Sequence, residues 1–182
     1  MSWNRFKQEL LPQMNGLQFG RDSKRFARAI TRSYDSTIKS GNSNLTMIPL
    51  SKGNTKGMED TIVQLLQSTT FSKNKTLLDV IGPAVLQYWS GASLFLLPPL
   101  LPAPKTIKNI LVTSAPILSV GKWTKIPVGP NVNSEIFLNA FIQSAKIHLT
   151  TIKGTHFCIS QYPPPAPPAP AVLPFVGYYV SE

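Results

Sequence analysis

A chain of 182 residues with a single cysteine can bury one real core but not two large ones, and it excludes an intramolecular disulfide framework. Eighteen basic residues against eight acidic ones leave a net charge of +10, which favours an acidic partner: nucleic acid, lipid headgroups or the acidic face of another protein. Charged residues are only 14% of the chain and hydrophobic ones 42%, a surface poor in charge for a free-standing protein and suited to neighbours.

The opening MSWNRFKQELLPQ carries charges where a signal peptide needs a continuous apolar core, so no export signal is expected and the glycosylation patterns at Asn44 and Asn74 read as chance. Trp3, Phe6, Leu10 and Leu11 make a short amphipathic helix that Pro12 should end or bend, followed by the turn-prone Asn15-Gly16 and Phe19-Gly20. A second helix, capped by Asp22 or Ser23 and closing at Gly41, carries Phe26, Ile30, Tyr34 and Ile38 as one ridge. On its other side Arg21, Lys24, Arg25, Arg28 and Arg32 fall within an arc of about 100°. An ordinary solvated face is the plain explanation of such a row. Against it, Asp35 is the one acid on this helix beyond its cap, so i, i+4 pairing cannot neutralise five cations, whereas phosphates or an acidic neighbouring subunit would. The five residues are the candidate site for an anionic partner.

Residues 41–57 read as an exposed loop around an apolar patch from Leu45 to Leu50. Lys52 to Gly57 has glycines and lysines but neither the spacing nor the ending of a phosphate-binding loop. Met58 to Phe71 reads as a third helix, with Met58, Ile62, Leu65 and Leu66 on one side and Glu59 and Asp60 in its first turn.

From Leu77 to Pro104 no charge occurs between Asp79 and Lys105. Leu77, Val80, Ile81, Ala84, Val85, Tyr88, Trp89, Ala92 and Phe95 recur at spacings of three and four, which predicts a helix with one broad apolar face. Thr76 caps it, Pro83 kinks or restarts it, and Pro98-Pro99 end it. Its proline-free part, Ala84 to Leu97, covers roughly 21 Å at 1.5 Å per residue, short of a hydrocarbon core of about 30 Å. A buried element is therefore expected, with no stable membrane insertion.

Residues 98–104 hold four prolines and should form an extended, stiff arm. Ile107 to Val120 is rich in β-branched residues and predicts one or two short strands, and Gly121 to Val132 reads as a loop anchored by Trp123. Ser134 caps a strongly apolar helix from Glu135 to Lys153 with Ile136, Phe137, Ala140, Phe141, Ala145, His148, Leu149 and Ile152 around most of its circumference, expected to pack on the central helix. Gly154 ends it, and Thr155 to Gln161 alternates as a strand against the Ile107 region. The tail then places seven prolines between Pro163 and Pro174 ahead of an aromatic end, Phe175 to Val180. Extended, that tract reaches roughly 37 Å, enough to carry the aromatic end to an adjacent copy.

Among chemistry-bearing residues, His156 and Cys158 would share one face of a strand, but no third or fourth ligand is spaced to complete a zinc site and no partner orients a nucleophile. The eight carboxylates are scattered, so paired acid–base work has no support, and His148 reads as a core residue. No catalytic residue, no metal site, no cofactor and no enzymatic activity are expected.

The run Tyr88-Trp89-Ser90-Gly91-Ala92, then Pro98-Pro99-Leu100-Leu101-Pro102-Ala103-Pro104 and Ile107-Asn109-Ile110, with a later helix ending His148-Leu149-Thr150-Thr151 and the YPPPAPPAP tail, resembles small virion structural proteins of large tailed phages. The resemblance spans nearly the whole chain, rests on composition, and carries over no functional residue. It implies a virion component, assembled in the bacterial cytoplasm, with other virion proteins and copies of itself as partners. The fold expected is mainly α with a small β component: a helical core over residues 1–161 with an internal proline-rich arm at 98–104, and a proline-rich C-terminal arm over 162–182. The function expected is a structural subunit of the particle, in capsid, neck or tail, with Phe175, Tyr178, Tyr179, Pro99 and Trp89 at subunit interfaces. The alternatives are a basic nucleic-acid-binding protein using the Arg21–Arg32 face, and a membrane-active protein built on residues 77–101.

Overall fold

The ridge of Phe26, Ile30, Tyr34 and Ile38 is fully buried along one helix, α2 (Ser23–Lys39), and the other helices are arranged around it in a computed structural model. Residues 2–15, 17, 21–43, 50–67, 77–90, 92–94, 105–107, 110–114, 134–160 and 171–182 are described by the structure. Helix α1 (Trp3–Met14) packs on one side of α2 and α3 (Thr55–Gln67) on the other; α4 (Leu77–Trp89) packs on α3, and α5 (Ser134–Thr151) on α1. With five helices among the described residues, the described chain is mainly helical.

The helix ends follow local chemistry. The Ser2 hydroxyl accepts the Arg5 amide at 3.3 Å and caps α1, whose apolar spacing buries Trp3, Phe6, Leu10 and Met14. Pro12 does not end the helix, which runs on to Met14; in the last turn the missing amide removes one bond and no more. Gly41 closes α2 as expected, its amide donating to the Ile38 carbonyl at 2.9 Å. Helix α3 begins three residues before the sequence pattern suggests. The Asn54 side chain accepts the Gly57 amide at 2.9 Å, and that cap starts the first turn ahead of Met58. Residues 68–71, the expected end of this helix, lie outside the described residues.

Helix α4 is shorter than the expected run to Leu97. It continues through exposed Pro83 and stops at Trp89; the Ala92 amide returns to the Trp89 carbonyl at 3.1 Å, and Ser93–Leu94 leaves as a strand. An apolar run without charges carries both periods, and here strand pairing takes over after the turn. No helix among the described residues is long and apolar enough to cross a membrane.

The β component exceeds the two or three strands expected. Strands β1 (Asn42–Ser43), β2 (Leu50–Lys52), β3 (Ser93–Leu94), β4 (Lys105–Ile107), β5 (Ile110–Ser114), β6 (Lys153–Ser160), β7 (Ala171–Val176) and β8 (Tyr178–Tyr179) form two sheets. The larger has the order β2-β3-β5-β6-β4 with β7 also on β6, all pairs antiparallel. The expected contact of the 155–161 strand with the Ile107 region is present, with Ile107 opposite Cys158. The smaller sheet pairs β1 with β8. Residues 41–57 are thus not a single exposed loop: β1, β2 and the start of α3 fall within them, because their partners Tyr178, Leu94 and Tyr88 come from elsewhere in the chain.

Aromatic rings join the helices into one core. Trp3 meets Phe6, Phe6 stacks on Phe141 at 5.4 Å, Phe141 lies edge-on to Tyr34, and Tyr34 is edge-on to Tyr88 at 5.0 Å. Helix α5 therefore reaches the core through Phe137 and Phe141 against α1 and α2, and meets the end of α4 where His148 approaches the Trp89 ring at 6.5 Å. Ile136, expected on its apolar face, is 58% exposed.

The C-terminal end is folded into the chain's own core. Gly177, at φ 97°, turns the chain between β7 and β8, and its amide donates to the Ile152 carbonyl at 2.8 Å. Tyr178 is buried against Trp89, ring centroids 5.7 Å apart; its hydroxyl accepts the Leu50 amide at 2.8 Å and donates to the Ile38 carbonyl at 2.7 Å. A Cβ on Gly41 would collide with the Tyr179 carbonyl, so β8 needs glycine there to come this close. Trp89 and Tyr178 consequently sit inside the protomer and not on a face open to a second copy, because their polar atoms find partners here. Pro99, Trp123, the arm at 98–104 and residues 163–170 lie outside the described residues, and Phe175 is described in its backbone alone, opposite Gly154.

Candidate functional site: a basic groove on α2

With the ridge of α2 turned inward, its basic row must face out. Arg21, Lys24, Arg25, Arg28 and Arg32 are all exposed, and four of them, all but Arg21, line an open groove of about 720 Å³. The floor on the α2 side is small: Ala29, Ser33 and Ser36, at positions where a longer side chain would fill the space. The opposite wall comes from α1, through Glu9 and Gln13.

Few of these cations are matched. Arg28 approaches Glu59 of α3 at 3.5 Å with more than half of its side chain exposed, the one ion pair made by the row among the described residues. Asp35 is already held by Lys39 at 2.8 Å and accepts the Tyr88 hydroxyl at 2.8 Å. Glu9, the carboxylate inside the groove, pairs with Arg5 at 2.8 Å, while Gln13 donates to the Glu9 carbonyl. Exposed pairs of this kind contribute well under about 1 kcal/mol each and leave the row with its positive field.

The scaffold beneath is stiff. Trp89 Nε1 donates to the Tyr34 hydroxyl at 3.0 Å, tying α4 to the helix that carries the row, and Gln67 Nε2 donates to Ser23 Oγ at 3.1 Å, tying the end of α3 to its start. The sequence pattern placed the five cations; it did not show Glu9, Gln13 or Glu59, which join them only through helix packing. The hydroxyl-bearing Ser33 and Ser36, one step round the helix from Arg32, are the signal that could have marked the groove's edge.

The remaining candidates do not converge on this groove. His148 is buried beside Trp89, and His156 and Cys158 are placed two apart on β6, with their backbones opposite Leu173 and Ala171 of β7. Among the described residues no three His, Cys, Asp or Glu side chains gather as a metal site would require. Tyr179 is 67% exposed on β8, facing away from buried Tyr178. No protein-family model matches this chain, and neither does any curated protein or solved structure.

Proposed function

We propose that this protein is a non-enzymatic structural subunit of a tailed-phage particle that docks on an anionic partner through the exposed face of α2. The observation that carries the docking is the groove, where four cations of one row stand together with a single, loose carboxylate contact. The subunit reading is supported by the scarcity of surface charge and by large apolar side chains left on the outside, Ile136, Ile147, Val176 and Tyr179. The virion is its place of action.

Sedimentation of the full chain alone and with the particle fraction, at increasing salt, tests this. The variant Arg25→Gln/Arg28→Gln/Arg32→Gln should keep its fold, associate more weakly with the particle fraction, and lose part of its salt sensitivity. Association with unchanged strength and unchanged salt dependence would reduce the row to a solvated face.

A further inference from the structure

We infer that the α1–α2 groove takes the phosphate backbone of a nucleic-acid duplex, held without reading its sequence. The inference rests on the docking reading of the α2 face and names its partner.

The lining selects that partner. Between the cations stand Glu9, Gln13, Ala29, Ser33 and Ser36, and among the described residues the lining has no aromatic ring and no large aliphatic side chain. A protein partner concentrates its affinity in desolvated aromatic or apolar anchors at the centre of the interface, and this groove offers no such pocket. Single-stranded nucleic acid is held by aromatic platforms on which bases stack, and among the described residues the lining has none. What remains is a row of forked guanidinium donors, with an ammonium and the Ser36 hydroxyl beside them, the equipment for phosphate oxygens.

The spacing agrees. Lys24 to Arg32 advances eight residues along α2, roughly 12 Å. Each strand of a duplex presents a phosphate about every 3.4 Å along its axis, so the row runs beside about four consecutive charges. Glu9 does not oppose this, because Arg5 already neutralises it at 2.8 Å. Ala29, Ser33 and Ser36 keep the floor low enough for a backbone to approach.

The test is fluorescence anisotropy of the full-length protein with a labelled duplex of about 24 base pairs, two unrelated sequences of it, and the corresponding single strand, between 50 and 300 mM KCl as a rough working range around physiological ionic strength. We expect equal affinity for the two duplexes, weaker binding to the single strand, and a log–log salt slope of about −3 to −4. Arg25→Gln/Arg28→Gln/Arg32→Gln should lower the affinity at least about tenfold and flatten the slope by about 2 to 3. Lys52→Gln/Lys56→Gln/Lys153→Gln removes the same charge from exposed positions outside the groove and should leave most of the binding in place. An absence of duplex binding at the lowest salt, tighter binding to the single strand, or equal losses from the two triple variants would each overturn the assignment. If the arginine variant leaves the particle fraction while the parent protein ignores duplex, the nucleic-acid assignment falls and the docking reading stands. If that variant stays on the particle, the docking reading itself falls.

Discussion

Three phenols, Tyr34, Tyr88 and Tyr178, sit where helices meet, and each is held by a hydrogen bond to another element. Burial pushes all three above the ordinary value of 10.0; the neighbouring Asp35 carboxylate adds to the rise at Tyr88, while the bond from Trp89 to Tyr34 and from the Leu50 amide to Tyr178 partly oppose it. A raised phenol stays protonated in the folded chain at pH values where the unfolded chain has begun to ionise. The stability it contributes is therefore complete below about pH 10 and falls as pH rises further, by about 1.4 kcal/mol per pH unit for each tyrosine. Urea midpoints measured from pH 8 to 11.5 should be flat and then drop steeply, and Tyr34→Phe or Tyr88→Phe should each make the drop shallower by one proton. A slope indifferent to both substitutions would show that other groups control the alkaline limb. At neutral pH, Tyr178→Phe strands the Leu50 amide, while the Ile38 carbonyl keeps the Gly41 amide, and should cost about 1 to 3 kcal/mol in the same assay.

At the scale of elements, what could be read in advance was whatever local periodicity decides. The α2 ridge was legible because four residues spaced by four bury one stripe, and the cationic row was legible for the same reason on the opposite side. Strand β2 was not, since Leu50-Ser-Lys52 shows no alternation of its own and exists because Leu94 pairs with Leu50 and a distant tyrosine hydroxyl takes the Leu50 amide. The early start of α3 was half legible: Asn54 is a strong cap, but its role also depends on its amide donating to the Tyr88 carbonyl at 2.8 Å. Replacing Asn54 by Ala should cost about 1 kcal/mol and Asn54→Asp much less, read as shifts in the denaturation midpoint. Equal costs would show that the capping oxygen, which Asn54→Asp keeps, is not what stabilises the start of α3.

For the molecule as a whole, the decisive segment is the last six residues. Their composition, aromatic and apolar after a proline tract, pointed to docking on an adjacent copy, and composition does not say where a complementary socket lies. The socket is local. Tyr178 fills it, β8 pairs with β1, the Ser181 carbonyl accepts the Trp3 amide at 3.1 Å, and Lys146 pairs with Glu182 on the surface. One strap thus closes the start of α1, the end of α2 and the side of α5, elements far apart in sequence. Tyr178→Ala should remove the ring's burial and strand the Leu50 amide, a loss of about 3 to 5 kcal/mol in a domain whose total stability is of order 5 to 15. Deleting Gly177 to Glu182 should cost at least as much and should weaken near-ultraviolet dichroism before helicity, since the rings around Trp89 lose their neighbour. Tyr179 is the control built into the same strand: its ring points outward, so Tyr179→Ala should change stability by less than about 0.5 kcal/mol and act, if anywhere, on association with neighbours. Both effects belong to the isolated protomer and should not vary with protein concentration. A Tyr178→Ala protein as stable in dilute solution as its parent, yet defective in assembly, would move the strap from its own domain to the neighbour's.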